Sequence, residues 1–510
     1  MVAGYAGVAS WNRGFGGDDF DAQRKSASLV RSGRLHFSFY RMREEDECVS
    51  MKTRTETDSM GAMEVPHDAM FGASTQRAVL NFPISGEGLP AALIHAYGRL
   101  KAAAAATNRE LGELDDSRAG RIVAAAETVA DGHHDDHFPV DIYQTGSGTS
   151  TNMNVNEVIA RLANQADPDG PTVHPNDHVN AGQSSNDTFP TALHLAALDG
   201  LVNQLRPALE TLRDELAAKA EAFDGVLKIG RTHLMDAVPM SLGQEFGGWA
   251  RQAELAVERT DRAIGALLEL PLGGTAIGTG LNAHPKFATL CIARLGALSR
   301  LPLRRAGNAF EAQAARDGCV EAHGQLNTIA VSLHKIASDL RLLASGPRCG
   351  LGEIRLPAVQ PGSSIMPGKV NPVLAESVTM VAARVFGNQT TTTSCGTGGF
   401  LELNVSMPLI AKCLLESISL LANASRAFAG ECVRGITAEE ERCREFIEQS
   451  MSMVTSLVPL VGYDRAAALA KEAMQSGRTI RELVEERIGE PGLDQTEVER
   501  ALDPGRMTGN

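Results

Sequence analysis

Leucines recur at a helical spacing in the middle of the chain. Leu195, Leu198, Val202, Leu205, Leu209, Leu212 and Leu216 are separated by alternating steps of three and four. This pattern keeps one apolar face for three heptads, so it predicts a coiled-coil-like seam. Pro207 alone interrupts it and predicts a kink, because proline lacks the ladder N–H and crowds the carbonyl four residues back. A second seam runs through Cys319, His323, Leu326, Ala330, Leu333, Ala337, Leu340 and Ala344, where small residues permit close helix approach. Further helix-like tracts cover roughly 238–270, 373–394 and 407–430. Together these tracts predict a mainly α protein built on a long-helix bundle, and seams this long often continue across subunits. The helical period strengthens from about residue 188 and becomes shorter and more charged after about 438. The expected organisation is an N-terminal domain over 53–187, a central helical bundle over 188–437 and a small C-terminal helical domain over 438–510. Residues 1–52, rich in Gly, Ser, Arg and acidic residues, read as a disordered extension or as translation begun upstream of a start near Met51.

Composition narrows the class. Of 510 residues, 43% are hydrophobic but only 5% aromatic, with long Ala/Leu tracts, a balance that favours helix over sheet. No uninterrupted apolar run approaches the roughly 18 residues of a membrane span, so no membrane partner is expected. A net charge of −14 argues against general nucleic-acid binding, yet leaves room for a local cationic pocket. The eight cysteines (48, 291, 319, 349, 395, 413, 432 and 443) contain no CxxC pair, and no secretory signal precedes them. Both features predict a reducing, cytoplasmic setting. No HExxH occurs, and His133-His134-Asp135-Asp136-His137 reads as a solvated helix end, since adjacent ligands seldom converge on one ion. Neither a metal nor a cofactor is expected.

Candidate chemistry lies where polar, Gly-rich stretches punctuate the helices. The densest is Pro361-Gly362-Ser363-Ser364-Ile365-Met366-Pro367-Gly368-Lys369-Val370-Asn371-Pro372. It fails the phosphate-loop pattern GxxxxGK[ST], because Val370 follows Lys369, and it contains no GxSxG elbow. Asn371-Pro372 reads as a helix start with Asn as N-cap and Pro as first helical residue. The helix dipole and Lys369 would then face one volume suited to a carboxylate, with Glu376 one turn in. Four other stretches accompany it: Thr145–Asn152 (TGSGTSTN), His174–Asp187 (HPNDHVN, then QSSND), Gly230-Arg231-Thr232-His233, and Gly399–Asn404. Each alone is most simply a cap, a turn or a structural histidine. Their repetition of hydroxyls and amides at helix ends, with one lysine, points to carboxylate binding.

The loop GSSIMPGKVNP, with TGSGT, HPNDHVN, QSSNDTFPT, GRTHL, LGGTAIGTGLN, SGPRCGLGEI and ELNV in order, resembles the fumarase/aspartase superfamily, and within it the class II fumarate hydratases. The likeness runs from about residue 53 to about 485. Sister aspartases usually carry AKVNP, STND and GRTQ where this chain reads GKVNP, SSND and GRTH; only Met235-Asp236-Ala237-Val238-Pro239 leans towards them.

The resemblance implies reversible hydration of fumarate to L-malate without a metal or cofactor. It also implies a homotetramer with active sites shared between subunits. Ser363 would take the C3 proton, while His233, paired with Glu376, would handle the proton of the departing or attacking water. Ser147, Gly148, Thr149, Ser184, Ser185, Asn186, Thr232, Ser364, Lys369, Val370 and Asn371 would hold the dicarboxylate. A possible accessory site comprises His174, Pro175, Asn176 and Asp177, although Pro171 and Thr172 stand where the family has basic residues. The competing expectations are an aspartate ammonia-lyase of the same superfamily and a non-catalytic assembly protein that has kept the fold. The second would predict erosion at Ser363, Lys369, Asn371 or His233, and all four residues are present.

Overall fold

A hairpin opens the described chain, β1 (Thr53–Asp58) pairing antiparallel with β2 (Gly61–Pro66). The structure is a computed structural model that describes residues 52–509; the extension expected over 1–52, and Cys48 with it, lies outside the described residues but for Lys52. Four helices follow: α1 (Ala73–Asn81), α2 (Ala91–Glu110), α3 (Asp116–Ala130) and α4 (Thr149–Ala166). Helix thus sets in well before residue 188, where the leucine period becomes plain. Alanine explains the difference, because α2 buries Ala96, Ala103, Ala104 and Ala105 where a leucine stripe would announce a helix. The His/Asp cluster lies just past α3, in a short 3-10 turn over Asp135–His137.

The first leucine seam forms a nearly continuous rod: α5 (Ser185–Gly200), a π-helical turn over Leu201–Leu205, and α6 (Arg206–Ala222). Leu198, Leu205, Leu209, Leu212 and Leu216 are fully buried along it. The expected interruption takes the form of the π turn just ahead of Pro207, whose ring could not sit against the Asn203 carbonyl in a regular α turn. A second hairpin, β3 (Leu227–Thr232) with β4 (Met235–Ser241), then occupies the start of the tract read as helix from about 238. Helix α7 (Leu242–Leu267) begins only after Ser241. The Ser241 hydroxyl accepts from Gln244 N and the Gln244 side chain accepts from Ser241 N, both at 3.0 Å, a capping box that marks the boundary.

After α8 (Phe287–Ser299) and α9 (Ala309–Ala314), the second seam forms α10 (Asp317–Leu343), followed by α11 (Val373–Gly396) and α12 (Met407–Glu431). Helices α10 and α11 are antiparallel. His323, early in α10, bonds Gln389, late in α11, at 2.7 Å, whereas Arg341, late in α10, lies 4.0 Å from Glu376, early in α11. Helix α12 is long and apolar enough to cross a membrane by composition, but it buries Ile410, Leu414, Leu421 and Phe428 in the bundle core. Beyond it, α13 (Glu440–Gln449) and shorter helices gather a second hydrophobic cluster of Ile447, Leu457, Leu469, Leu483 and Val498 around Ile229 of β3.

Two ends of the bundle result. At one, α4, α5, α10 and α12 begin: Met407 N donates to Gly146 O at 3.0 Å, and His194 of α5 lies 3.1 Å from Leu267 O and 3.6 Å from Cys319 Sγ. At the other, α6, α10 and α12 finish: Lys219 Nζ donates to Ile436 O at 2.8 Å, and Arg231 of β3 reaches Glu353, beyond α10, at 2.9 Å. The 27 residues of α10 hold these ends about 40 Å apart at 1.5 Å per residue.

Candidate active site

At the first end two helices begin against each other. Gly148, at φ +73°, turns the chain into α4, and a Cβ there would lie 2.0 Å from the Phe189 ring, so only glycine fits. Thr149 Oγ1 lies 2.8 Å from Ser147 Oγ and 2.7 Å from Ser185 Oγ, at the first residue of α5. Ser185 Oγ donates to Asn186 Oδ1 at 3.4 Å, and Asn186 Nδ2 donates to Ala276 O at 2.8 Å. Three linked hydroxyls and two helix N-termini therefore meet at this hydroxyl end. Unpaired N–H groups and aligned dipoles favour an anion there, and the hydroxyls can donate to it. Ser184 caps the helix instead. Its hydroxyl accepts from Asn186 N at 3.2 Å while Asp187 Oδ1 accepts from Ser184 N at 2.9 Å, a reciprocal arrangement that fixes the start of α5.

A buried polar layer supports this array. Asp187 also accepts N–H groups from Gly273 at 2.9 Å and Thr275 at 3.0 Å. Burial pushes its carboxyl up to about 6, against the opposing pull of those donors and of the Lys101 charge. Lys101, wholly buried in α2, donates to Asn180 Oδ1 at 2.9 Å and Gln183 Oε1 at 3.0 Å. Burial brings its amine down to about 7, with the Asp187 charge resisting. Sequence reasoning passed over Lys101 as a site residue. The available signal was its place four residues after Tyr97, on the buried face of an Ala-rich helix.

The loop before α11 and the tip of the β3–β4 hairpin form the other, loop end. Gly362 N donates to Lys369 O at 2.9 Å, and a Cβ on Gly362 would stand 2.2 Å from that oxygen, so the loop closes tightly only on glycine. Ser363 Oγ accepts two backbone N–H groups, from Ile365 at 3.1 Å and Met366 at 3.0 Å. Such donors stabilise negative charge on the oxygen. Ser363, Met366, Lys369 and Val370 line an open cleft of about 480 Å³, and Ser364 is exposed beside it. The expected Asn371 cap does not form. Helix α11 starts at Val373 after Pro372, and Asn371 Nδ2 instead donates to Gly362 O at 2.7 Å. With Gly362 and Lys369 already paired, the carboxamide lies against the loop rather than the helix and clasps it shut.

Thr232 and His233 are exposed at the hairpin tip, and Glu376 is half-buried one turn into α11. Among the described residues of one chain, no hydrogen bond joins His233 to Glu376; Arg341 is the cation beside Glu376. Within a single copy, then, Ser147, Thr149, Ser185 and Asn186 meet at the hydroxyl end, while Thr232, His233, Ser363, Lys369, Asn371 and Glu376 belong to the loop end.

The possible accessory residues form a π-helical turn over Pro175–Val179. His174 Nδ1 accepts from Asp177 N at 3.2 Å, and His178 Nδ1 accepts from His174 N at 2.7 Å. Asn176 and Asp177 share a cavity of about 560 Å³ with Ser184 and Asn180. At the positions lacking basic residues, cations arrive from α3 instead: Arg118 Nε donates to Thr172 O at 2.9 Å, and Arg121 donates to Pro171 O.

Comparison with known proteins agrees with this layout. A protein family described as lyase matches residues 61–387, and one described as fumarase C C-terminus matches 453–509. The class II fumarate hydratase of Mycobacterium tuberculosis H37Rv is 55% identical over 457 residues, covering 89% of this chain and 96% of the relative. That of Corynebacterium glutamicum is 52% identical over 461 residues, covering 90% and 97%. Among solved structures, a class II fumarase from Schistosoma mansoni superposes with a TM-score of 0.86 at 39% identity, covering 90% of this chain and 99% of that one. A fumarate lyase:delta crystallin from Brucella melitensis gives 0.82 at 46% identity, covering 89% and 100%. Motifs, fold and close relatives agree, and the chain belongs to the class II fumarate hydratase family of lyases, with the fumarase/aspartase fold.

Proposed function

We propose that the chain adds water reversibly to fumarate, giving L-malate, at a site no single copy contains. One observation carries the reading: the motif residues that must surround one small dicarboxylate lie at opposite ends of a bundle about 40 Å long. The hydroxyl end of one copy and the loop ends of others complete the site within a homotetramer, which also explains why the loop end is exposed and partly unpartnered. Antiparallel packing of two copies brings opposite ends together.

The hydroxyl end, through Ser147, Thr149, Ser185, Asn186 and two helix N-termini, receives one carboxylate; Lys369, Asn371 and Thr232 supply donors from the loop end. Ser363, as its alkoxide, takes the C3 proton of malate, and the electron pair left behind spreads into the adjacent carboxylate as an aci-carboxylate dianion. The two N–H groups on Ser363 Oγ and the Lys369 charge support the alkoxide, and donors preorganised around the substrate stabilise the dianion. His233, with Glu376 beside it in the assembly, protonates the departing C2 hydroxyl, which leaves as water; the reverse steps add water to fumarate. The ammonia-lyase alternative has only Met235–Pro239 in its favour, and those residues form part of strand β4. We further read the second hydrophobic cluster as the core of a C-terminal domain, set beside the N-terminal and bundle domains. The seven described cysteines are free, which supports a cytoplasmic location.

Mixing two impaired variants, assayed with fumarate well below KM, tests the assembly. Ser147→Ala disables the hydroxyl end and Ser363→Ala the loop end. Co-refolded in equal amounts, they regain about a quarter of wild-type fumarate hydration, the statistical share of sites with both halves intact. Mixtures as inactive as the separate variants, despite mixed oligomers detected by mass, would place the whole site within one copy and overturn the proposal.

A further inference from the structure

The turn that carries His233 is strained. His233 and Leu234 are the two central residues of the β3–β4 hairpin, with Thr232 paired to Met235, and both have left-handed φ values of +57° and +62°. Two-residue hairpin turns with this backbone favour Asn-Gly; a leucine at positive φ is uncommon and persists only where its surroundings over-determine it.

The restraint begins two residues before His233. Arg231 Nη1 donates to both carboxylate oxygens of Glu353, at 3.0 and 2.9 Å, and Glu353 is wholly buried. Lys228, two residues before the Gly230 bulge and also buried, lies 3.2 Å from Glu353 Oε2 and 2.7 Å from Glu245 Oε2. Two cations and two carboxylates thus close a neutral cluster along strand β3, with every charge paired. The Arg231 guanidinium also lies over the Phe446 ring at 5.3 Å, and Arg442 covers that ring at 4.2 Å. The Glu353 backbone is held as well, its carbonyl accepting from Glu439 N at 2.9 Å. Glu353 therefore joins three segments: the hairpin, the strand-like stretch after α10, and the helix that opens the C-terminal cluster.

We propose that Glu353 is a positioning residue for the reaction, acting through Arg231 to hold the His233 turn at the angle proton transfer requires. The inference rests on the assignment of His233 made above. It gives the C-terminal helices a part in catalysis, because Phe446 lies under the Arg231 guanidinium and Glu439 N holds the Glu353 backbone carbonyl, so both brace the pair that braces the turn.

A double-mutant cycle on the full-length chain tests this, with kcat and KM measured in both directions for Glu353→Gln, His233→Asn and the pair. Glu353→Gln lowers kcat about 10- to 100-fold while KM stays within about threefold, because the loss is one of orientation. In the His233→Asn background the same change has almost no further effect. Equal losses in both backgrounds, or no loss in either, would overturn the role of Glu353 while leaving His233 in place. Full activity of His233→Asn alone would overturn the His233 assignment instead. Should Glu353→Gln fail to fold, Phe446→Leu loosens the guanidinium stack without unpairing a charge. It lowers kcat several-fold in the wild-type background only, and a loss of equal size beside His233→Asn again defeats the inference.

Discussion

Ser147 and Ser185 are buried, joined through Thr149, and stand on a layer in which Lys101 and Asp187 have their own partners. Ser363, Lys369 and His233 sit on a loop and a hairpin tip, from half-buried to exposed. The contrast separates two requirements of one reaction. A carboxylate that binds in every turnover is best met by fixed donors at rigid helix starts. The groups that move protons must approach, close over the substrate and exclude water, and a short clasped loop can do that. The hydroxyl end is therefore expected to govern binding and the loop end to govern turnover.

Ser363→Ala tests the contrast hardest. Its kcat should fall on the order of 10³-fold, with circular dichroism and oligomer size unchanged, since the substitution removes the proposed proton acceptor and nothing else. Activity within tenfold of wild type would move the base elsewhere, first to His233. Asn186→Ala should act from the other side, lowering kcat/KM about 10- to 100-fold, mainly through KM, as expected for one lost hydrogen bond to a charged group. A fall in kcat with KM unchanged would erase the division of labour. Asn371→Ala releases the clasp on Gly362 O. It should reduce kcat about three- to tenfold, with the melting temperature nearly unchanged because the residue is not in the core.

The smallest effect concerns pH and the layer under the hydroxyl end. Burial favours the neutral amine of Lys101, whose folded value of about 7 lies below the ordinary 10.5. This group therefore contributes stability that is fully present above its ordinary value and is lost as pH falls towards about 7. The wild-type melting temperature should accordingly drop more between pH 10 and pH 7 than that of Lys101→Met. Parallel curves for the two proteins would show that the amine keeps its charge in the fold.

Much of the fold could be read from the chain because helix periodicity is local. The seams over 195–216 and 319–344 anticipated α5, α6 and α10, and Pro207 marked the π turn. Helix α2 escaped notice because alanine packs as well as leucine against a close neighbour yet leaves no conspicuous stripe. The β3–β4 hairpin escaped because a positive φ at His233 and Leu234 has no signature when neither residue is Gly or Asn. Asn371 resembles a cap in sequence, but its partner, Gly362 O, lies nine residues back and becomes available only once the loop folds.

The chemical groups themselves, the serines of TGSGT and SSND, the Ser363 and Lys369 of the loop, and His233, are written in the sequence, because motif identity depends on side-chain type and order. So is the helical character of the bundle, which follows from a 3.6-residue period any short window displays. Only the tertiary structure decides that these groups divide between two ends of the bundle. That outcome depends on where each helix starts and on how α10 and α11 run against each other. It also depends on long-range contacts, such as Arg231 with Glu353, between residues far apart in the chain.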